Sequence, residues 1–203
     1  MEIKTLPVGQ IEANCYIVTD EATGHCAVID PGDESNAILD YIESNGLKAQ
    51  YIFLTHGHFD HTTAAKEVSA ATGAPVYIHE KDTSQSPESY RFLTDDAVRY
   101  YKEGDEIEVS ALLFTVLETP GHSPGSVTLR CGSCLFTGDT LFRDSCGRTD
   151  LPGGNMQVLM GSLRRLAALE GDLEVYPGHM DSSTLDRERR FNYYMKYAVE
   201  TPG

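Results

Sequence analysis

Short apolar runs and stretches of helical period alternate along the chain, separated by polar or glycine-containing turns. Residues 14–18 (NCYIV) and 25–30 (HCAVID) flank the polar turn TDEATG, a pattern that predicts a hairpin. In DESNAILDYIESNG, Ala37, Ile38, Tyr41 and Ile42 recur at helical spacing, with Asp33 as the predicted N-cap and Gly46 as the stop. YIFLT (51–55) is a short, wholly apolar strand of the kind buried on both faces. AAKEVSAATG has the small-residue pattern of a packed helix, and PVYIH (75–79) reads as a further strand.

The segment 80–103 is polar and tyrosine-containing, and reads as loop and irregular helix. Beyond it, EIEVSALLFTVLETP, SVTLR and CLFTGD form a run of strands. Leu159, Leu163 and Leu166 then share one helical face, LEVYPG is a last strand, and TLDRERRFNYYMKYAVE predicts a C-terminal helix. Strands and helices alternate in both halves with no linker, low-complexity tract or short repeat. The expected fold is therefore one layered α/β domain over residues 1–203.

Composition narrows the function classes. The chain is 40% hydrophobic, and its 31 acidic against 16 basic residues give a formal charge of −15. Such a field repels phosphate backbones, so nucleic acid is not an expected partner. No basic-then-apolar leader opens the sequence, and no apolar run approaches the roughly 18 residues of a membrane helix. A cytoplasmic protein with no membrane partner is expected. Five cysteines without a leader suggest free thiols. Cys131 and Cys134 in CGSC invite a redox or zinc reading, but a zinc site needs a second matching pair. A hairpin turn at Gly-Ser between two strands accounts for the spacing.

The candidate chemistry collects at strand ends. THGHFDH (55–61) holds three of the chain's 7 histidines. His56 follows the strand 51–55, His122 the strand 112–118, Asp139 the strand 134–137 and His179 the strand 173–176. Loops leaving the carboxyl ends of strands converge on one rim of an α/β sheet, where ligands bind. Core packing alone requires no such convergence, whereas His25 and His79 carry no such signal. The spacing of the cluster fits neither one strand face nor one helix face. A tight loop at Gly57 entering a helix near Asp60 would aim His56 and His58 one way, and Asp60 and His61 another. That arrangement predicts two adjacent metal ions, with His122 and His179 completing the sets and Asp139 placed to bridge.

HGHFDH, GHSPG, TGDTLF and YPGH together resemble the motifs of the metallo-β-lactamase superfamily. FRDSCGRTDLPGG (142–154) and STLDRERRFN (183–192) look like its glyoxalase II-related branch. The resemblance implies an αββα sandwich with the site at one edge of two facing sheets. It assigns His56, His58 and His122 to one metal, Asp60, His61 and His179 to the other, and Asp139 to both. Arg148 stands where relatives carry a basic residue that helps hold the thiol carrier. Asp150 stands where an aromatic is expected, and the 24 residues after His179 are too few for the helical glutathione-binding domain of the larger enzymes. The resemblance thus implies hydrolysis and leaves the carrier open. True β-lactamases tend to carry a cysteine at the Asp139 position, which points away from β-lactam substrates.

The expected activity is hydrolysis of a small-molecule acyl-thiol such as S-lactoylglutathione. It would need two divalent ions, zinc first, with iron or manganese as alternatives. Ions about 3.5–4 Å apart would share a hydroxide that attacks the thioester carbonyl, with Asp60 and Asp139 as the catalytic carboxylates. Asp30, Thr55 and Ser123 are candidates to orient the ligands. The alternatives are an iron-dependent persulfide dioxygenase using His56, His122 and Asp139, or a metal-binding protein without activity.

Overall fold

In the first strands, side chains alternate between two apolar surroundings, and this period of two builds the layers. Cys15, Ile17, Cys26, Val28, Ile52 and Leu54 belong to one buried cluster. Their neighbours Tyr16, Val18, Ala27, Ile29 and Phe53 belong to a second. A strand whose two faces are both buried has to sit between two layers. The computed structural model, which describes residues 1–83 and 97–201, shows those layers.

Strands β1 (Glu2–Val8), β2 (Ala13–Asp20), β3 (His25–Ile29), β4 (Lys48–Phe53), β5 (Val76–His79) and β6 (Val98–Tyr101) form one six-stranded sheet in sequential order. β1 to β3 are antiparallel neighbours, and β3 to β6 run parallel. Parallel neighbours need crossovers. α1 (Ser35–Ser44) provides one, and the short α2 (Phe59–Thr62) with α3 (Ala65–Thr72) provides the next. Ile38, Ile42, Ala65 and Val68 from these helices close the first cluster on the sheet's outer face.

The second sheet is built from β7 (Glu106–Val109), β8 (Leu112–Glu118), β9 (Val127–Cys131), β10 (Cys134–Gly138), β13 (Glu174–Pro177) and β14 (Ser183–Thr184), ordered β14-β13-β10-β9-β8-β7. β11 (Leu141–Phe142) and β12 (Ser145–Cys146) make a separate two-residue hairpin. Phe114, Val116, Leu129 and Phe136 face the first sheet, and the Phe53 and Phe114 rings meet 5.1 Å apart between them. The outer face carries α4 (Met156–Ala167), α5 (Leu185–Phe191) and α6 (Tyr193–Glu200) over a third cluster that includes Leu159, Leu163 and Leu166. Three apolar interfaces between four layers make an αββα sandwich.

Several local expectations change. Asp33 does not cap α1. Its carboxylate accepts the adjacent Glu34 amide at 2.7 Å instead of a helix amide, and the helix starts from Glu34 in a left-handed conformation. The C-terminal stretch is two helices, not one, because Asn192 leaves helical geometry and turns its side chain to other tasks. Its Oδ1 accepts the amides of Tyr194 and Met195, while Nδ2 reaches Phe142 O and Ser145 O. Edge strands β1 and β6 were not anticipated, and β6 lies in the stretch read as loop. Residues 84–96 of that stretch lie outside the described residues. CGSC is the turn of a hairpin: Cys131 and Cys134 face each other across β9 and β10 as free thiols. Among the described residues, no helix is long and apolar enough to cross a membrane.

Candidate metal centre

Every side chain of the site leaves the carboxyl end of a strand or the loop just beyond it. His56 and His58 follow β4, and His58 becomes the N-terminal flank of α2, whose first turn carries Asp60 and His61. His122 lies between β8 and β9, Asp139 follows β10, and His179 follows β13. The chain bends at Thr55 and His56, just before Gly57, and enters α2 at Phe59, and the cluster divides as its spacing suggested.

Two sets of ligand atoms result. In each of the sets His56–His58–His122 and Asp60–His61–His179, the donor atoms lie within 4.8 Å of one another. His58 Nδ1 and His122 Nε2 are 2.8 Å apart, and His61 Nε2 and His179 Nε2 are 3.3 Å apart. Asp60 Oδ2 sits 3.2 Å from His179 Nε2. Asp139 faces both sets, with Oδ1 3.4 Å from His61 Nε2 and Oδ2 3.4 Å from His122 Nε2. All seven sequence-derived candidates are thus brought together. Arg148 also lines the cavity, its side chain turned to Asp150 while its carbonyl meets the His122 ring.

Hydrogen bonds behind the rings fix which nitrogen carries the proton. Thr55 Oγ1 donates to Asp30 Oδ2 at 2.6 Å, so it accepts from His56 Nδ1 at 3.1 Å. His61 Nδ1 donates to the same Asp30 oxygen at 3.0 Å, and His122 Nδ1 donates to the Arg148 carbonyl at 2.7 Å. In each ring Nδ1 is held from behind and Nε2 is the nitrogen that faces the centre, the orientation a metal ligand requires. His56 Nε2 and Asp139 Oδ1 are buried there with no hydrogen-bond partner. Buried polar atoms are normally satisfied, so this pair marks a place for a cation.

The charge pattern agrees. Burial, reinforced by the neighbouring His61 and His122, pushes His56 well below its ordinary value and keeps it neutral. Burial disfavours the charged form of His61 too, but Asp139, Asp30 and Asp60 outweigh it and raise that ring well above its ordinary value. His179 shifts the same way, as Asp60 and Asp139 overcome its burial. Burial likewise opposes the charge on Asp60, yet His179 and His61 hold its carboxyl well below the ordinary range. The second set is therefore a place that favours positive charge.

The loops are tied together beneath the ligands. Asp82, fully buried, accepts from Gly57 N at 2.9 Å, Ser123 Oγ at 2.6 Å and Gly125 N at 2.5 Å, joining the His56–His58 loop to the His122 loop. Asn14 Nδ2 reaches Pro177 O and Met180 O at 3.0 and 2.9 Å, and Tyr16 Oη reaches Pro177 O at 2.6 Å, anchoring the His179 loop to the first sheet. Gly178 is required by closeness: a Cβ there would strike the Asp139 carboxylate and approach His61 Cε1 to 2.8 Å. Asp30 and Thr55 contact ligand rings, as expected of orienting groups, whereas Ser123 bonds Asp82 and Ser126 and so belongs to the tie between loops. Asp82 and Asn14 were missed, although Asp82, like the ligands, follows a strand end.

The family profile described as "Metallo-beta-lactamase superfamily" matches residues 8–179. This chain belongs to the metallo-β-lactamase superfamily. It is 32% identical over 212 residues to a Haemophilus influenzae protein named hydroxyacylglutathione hydrolase GloC, covering 96% of this chain and 98% of that one. Among solved structures it resembles the BLEG-1 B3 metallo-β-lactamase (TM-score 0.86, 30% identity, covering 96% and 99% of the two chains). ETHE1 from Myxococcus xanthus is similar at TM-score 0.84 and 30% identity, covering 98% and 90%. TTHA1623 in a di-iron-bound form is similar at 0.83 and 35%, covering 94% and 99%. The superfamily's two-metal chemistry fits the donor sets present here.

Proposed function

We propose that the chain hydrolyses thioesters at a dinuclear metal centre held by His56, His58 and His122 on one side and Asp60, His61 and His179 on the other, with Asp139 between them. The observation that carries the reading is the paired convergence itself. Two three-ligand sets share one carboxylate at the floor of a cavity of about 830 Å³. Bound there, two divalent ions supply Lewis acidity and bring the pKa of water from 15.7 toward about 7.

The chain's own residues supply the rest. Asp60, ionised and lining the cavity, accepts a hydrogen bond from a water and orients it toward a carbonyl above. Asp139 holds both sets in register. Among the described residues lining the cavity there is no lysine or tyrosine, and the acids and histidines present belong to the ligand sets. The described lining residues thus offer no strong general acid for an alkoxide or amine leaving group. A thiolate, whose conjugate acid has a pKa of about 8.5, leaves without one. This supports a thioester over an amide. The relative named hydroxyacylglutathione hydrolase supports the same class.

A one-iron dioxygenase using His56, His122 and Asp139 would leave Asp60, His61 and His179 without a task, although their donor atoms converge. The test counts and identifies bound metal, then assays thioesters, glutathione persulfide with oxygen monitoring, and a chromogenic β-lactam. Thioester turnover without oxygen uptake supports the proposal. Oxygen uptake with one iron per chain, or β-lactam cleavage without thioester cleavage, rejects it.

A further inference from the structure

The cavity mouth is unlike its floor. Ile11 at 54%, Phe59 at 59% and Met180 at 62% exposure stand at its edge, with Phe142, Leu151 and Pro152 continuing the apolar wall. Large apolar side chains left in water around a catalytic cleft mark a surface kept for a ligand. Met180 is also held in a left-handed conformation, φ 69°, directly after the ligand His179, with Asn14 fixing its carbonyl. Such a conformation is retained only where the surroundings enforce it.

Among the described residues that line the cavity, Arg148 is the one lysine or arginine. It is already engaged. Its Nε and one terminal nitrogen donate to both carboxylate oxygens of Asp150, at 2.6 and 2.7 Å. The loop carrying the pair is pinned at both ends: His122 donates to the Arg148 carbonyl at 2.7 Å, and the Asn155 amide donates to Gly121 O at 2.7 Å. A fork-to-fork pair two residues apart uses the donors by which arginine reads a carboxylate or phosphate. The whole chain carries a formal charge of −15, which repels anions further.

We propose that the Arg148–Asp150 pair withholds from the substrate the one mouth cation found among the described residues, and that the thiol carrier is uncharged and apolar rather than one that bears carboxylates, such as glutathione. The inference rests on the thioester reading and adds the class of carrier. The carrier lies along Ile11, Phe59 and Met180 while the acyl carbonyl reaches the floor. Asp150 acts through Arg148 and is a specificity-determining residue, not a catalytic one.

The experiment compares metal-loaded wild type, Asp150→Asn and the double variant Asp150→Asn/Arg148→Gln. The substrates are S-lactoylglutathione and the S-lactoyl ester of N-acetylcysteamine, a neutral thiol. Calorimetry measures binding of non-hydrolysable S-methylglutathione. Wild type is expected to show the higher kcat/KM with the neutral thioester. Asp150→Asn is expected to lower KM for the glutathione thioester, and to tighten S-methylglutathione binding, by up to about fivefold, the scale of an exposed ion pair. The double variant should lose that gain. A wild-type preference for the glutathione thioester, or an unchanged KM and affinity in Asp150→Asn, overturns the proposal. If neither thioester is cleaved but S-methylglutathione still binds Asp150→Asn more tightly, the thioester reading fails and the pair's exclusion of anions stands.

Discussion

Asp30 Oδ2 and His61 Nδ1 lie 3.0 Å apart with both side chains almost fully buried, so the carboxylate sets the ring's tautomer from behind the metal centre. The same carboxylate takes the Thr55 amide at 2.7 Å and the Thr55 hydroxyl at 2.6 Å, and through that hydroxyl it also orients His56. Asp30 thus serves one histidine of each set. Replacing it with asparagine keeps the shape but removes the charge and one acceptor oxygen. Partners of this kind cost about 10–100-fold in metal affinity when changed. Asp30→Asn is expected to show that loss at both positions in a competitive chelator titration. Loss at one position only would deny it the shared role.

Asp82 makes a separate prediction about stability. Its carboxylate is the acceptor for two buried loop amides, Gly57 and Gly125, and for the Ser123 hydroxyl. A buried amide left without an acceptor costs roughly 1–3 kcal/mol. Asp82→Ala is therefore expected to lower the Tm of the metal-free protein by on the order of 10 °C, since each kcal/mol moves a chain of this size by about 2–4 °C. Asp82→Asn keeps one acceptor oxygen and should fall between. A shift under about 2 °C by calorimetry in Asp82→Ala would show that water takes over and that the clamp is not needed.

These two acids also show what the sequence can and cannot reveal. The ligands were legible because each is a metal-binding residue type placed just past an apolar run, and because seven of them fall in one order. The layered fold was legible because apolar runs alternate with helical periods. Asp82 was not singled out because what matters about it is spatial: Gly57 and Gly125 are distant in sequence, and an acid in the charged run HEKD looks like a solvated one. β1 escaped notice because it is an edge strand, with Glu2, Lys4, Thr5 and Pro7 exposed and little apolar periodicity to read. The division at Asn192 was hidden for a related reason. Helical spacing continues through it, and the break follows from its side chain, which caps the last helix through Oδ1 and reaches the β11–β12 hairpin through Nδ2.

The cysteines predict a pH response. Burial raises the thiols of Cys26, Cys131 and Cys146 from an ordinary 9.0 to about 11. A thiol whose folded pKa lies above its unfolded value keeps its proton on folding. The stability it contributes is complete below about pH 9 and is lost as the pH rises through about 11. The Tm is expected to fall across that window, and less steeply in a variant with Cys26 and Cys131 changed to alanine, once its lower starting stability is allowed for. At pH 8 the folded protein should react slowly with iodoacetamide at all five cysteines, and rapidly once unfolded. Fast labelling of Cys131 and Cys134 in the folded state would contradict their reading as the buried flanks of a hairpin turn and reopen a redox role for CGSC.

Asp139 carries the most demanding prediction, because it alone faces both ligand sets. Its Oδ1 is buried without a partner, 3.4 Å from His61, while Oδ2 faces His122 at 3.4 Å and His179 at 3.7 Å. Asp139→Ala is expected to reduce metal occupancy at both positions, measured by elemental analysis after dialysis. Turnover should fall by more than about 100-fold, beyond the cost of losing an outer hydrogen bond. Gly178→Ala tests the same contact without touching a ligand, since the added methyl group would push against the Asp139 carboxylate and the His61 ring. It should lower occupancy while leaving all seven donor side chains in the chain. Full occupancy and turnover in Asp139→Ala would mean that the two positions are held independently, and the paired convergence that carries the proposed function would lose its link.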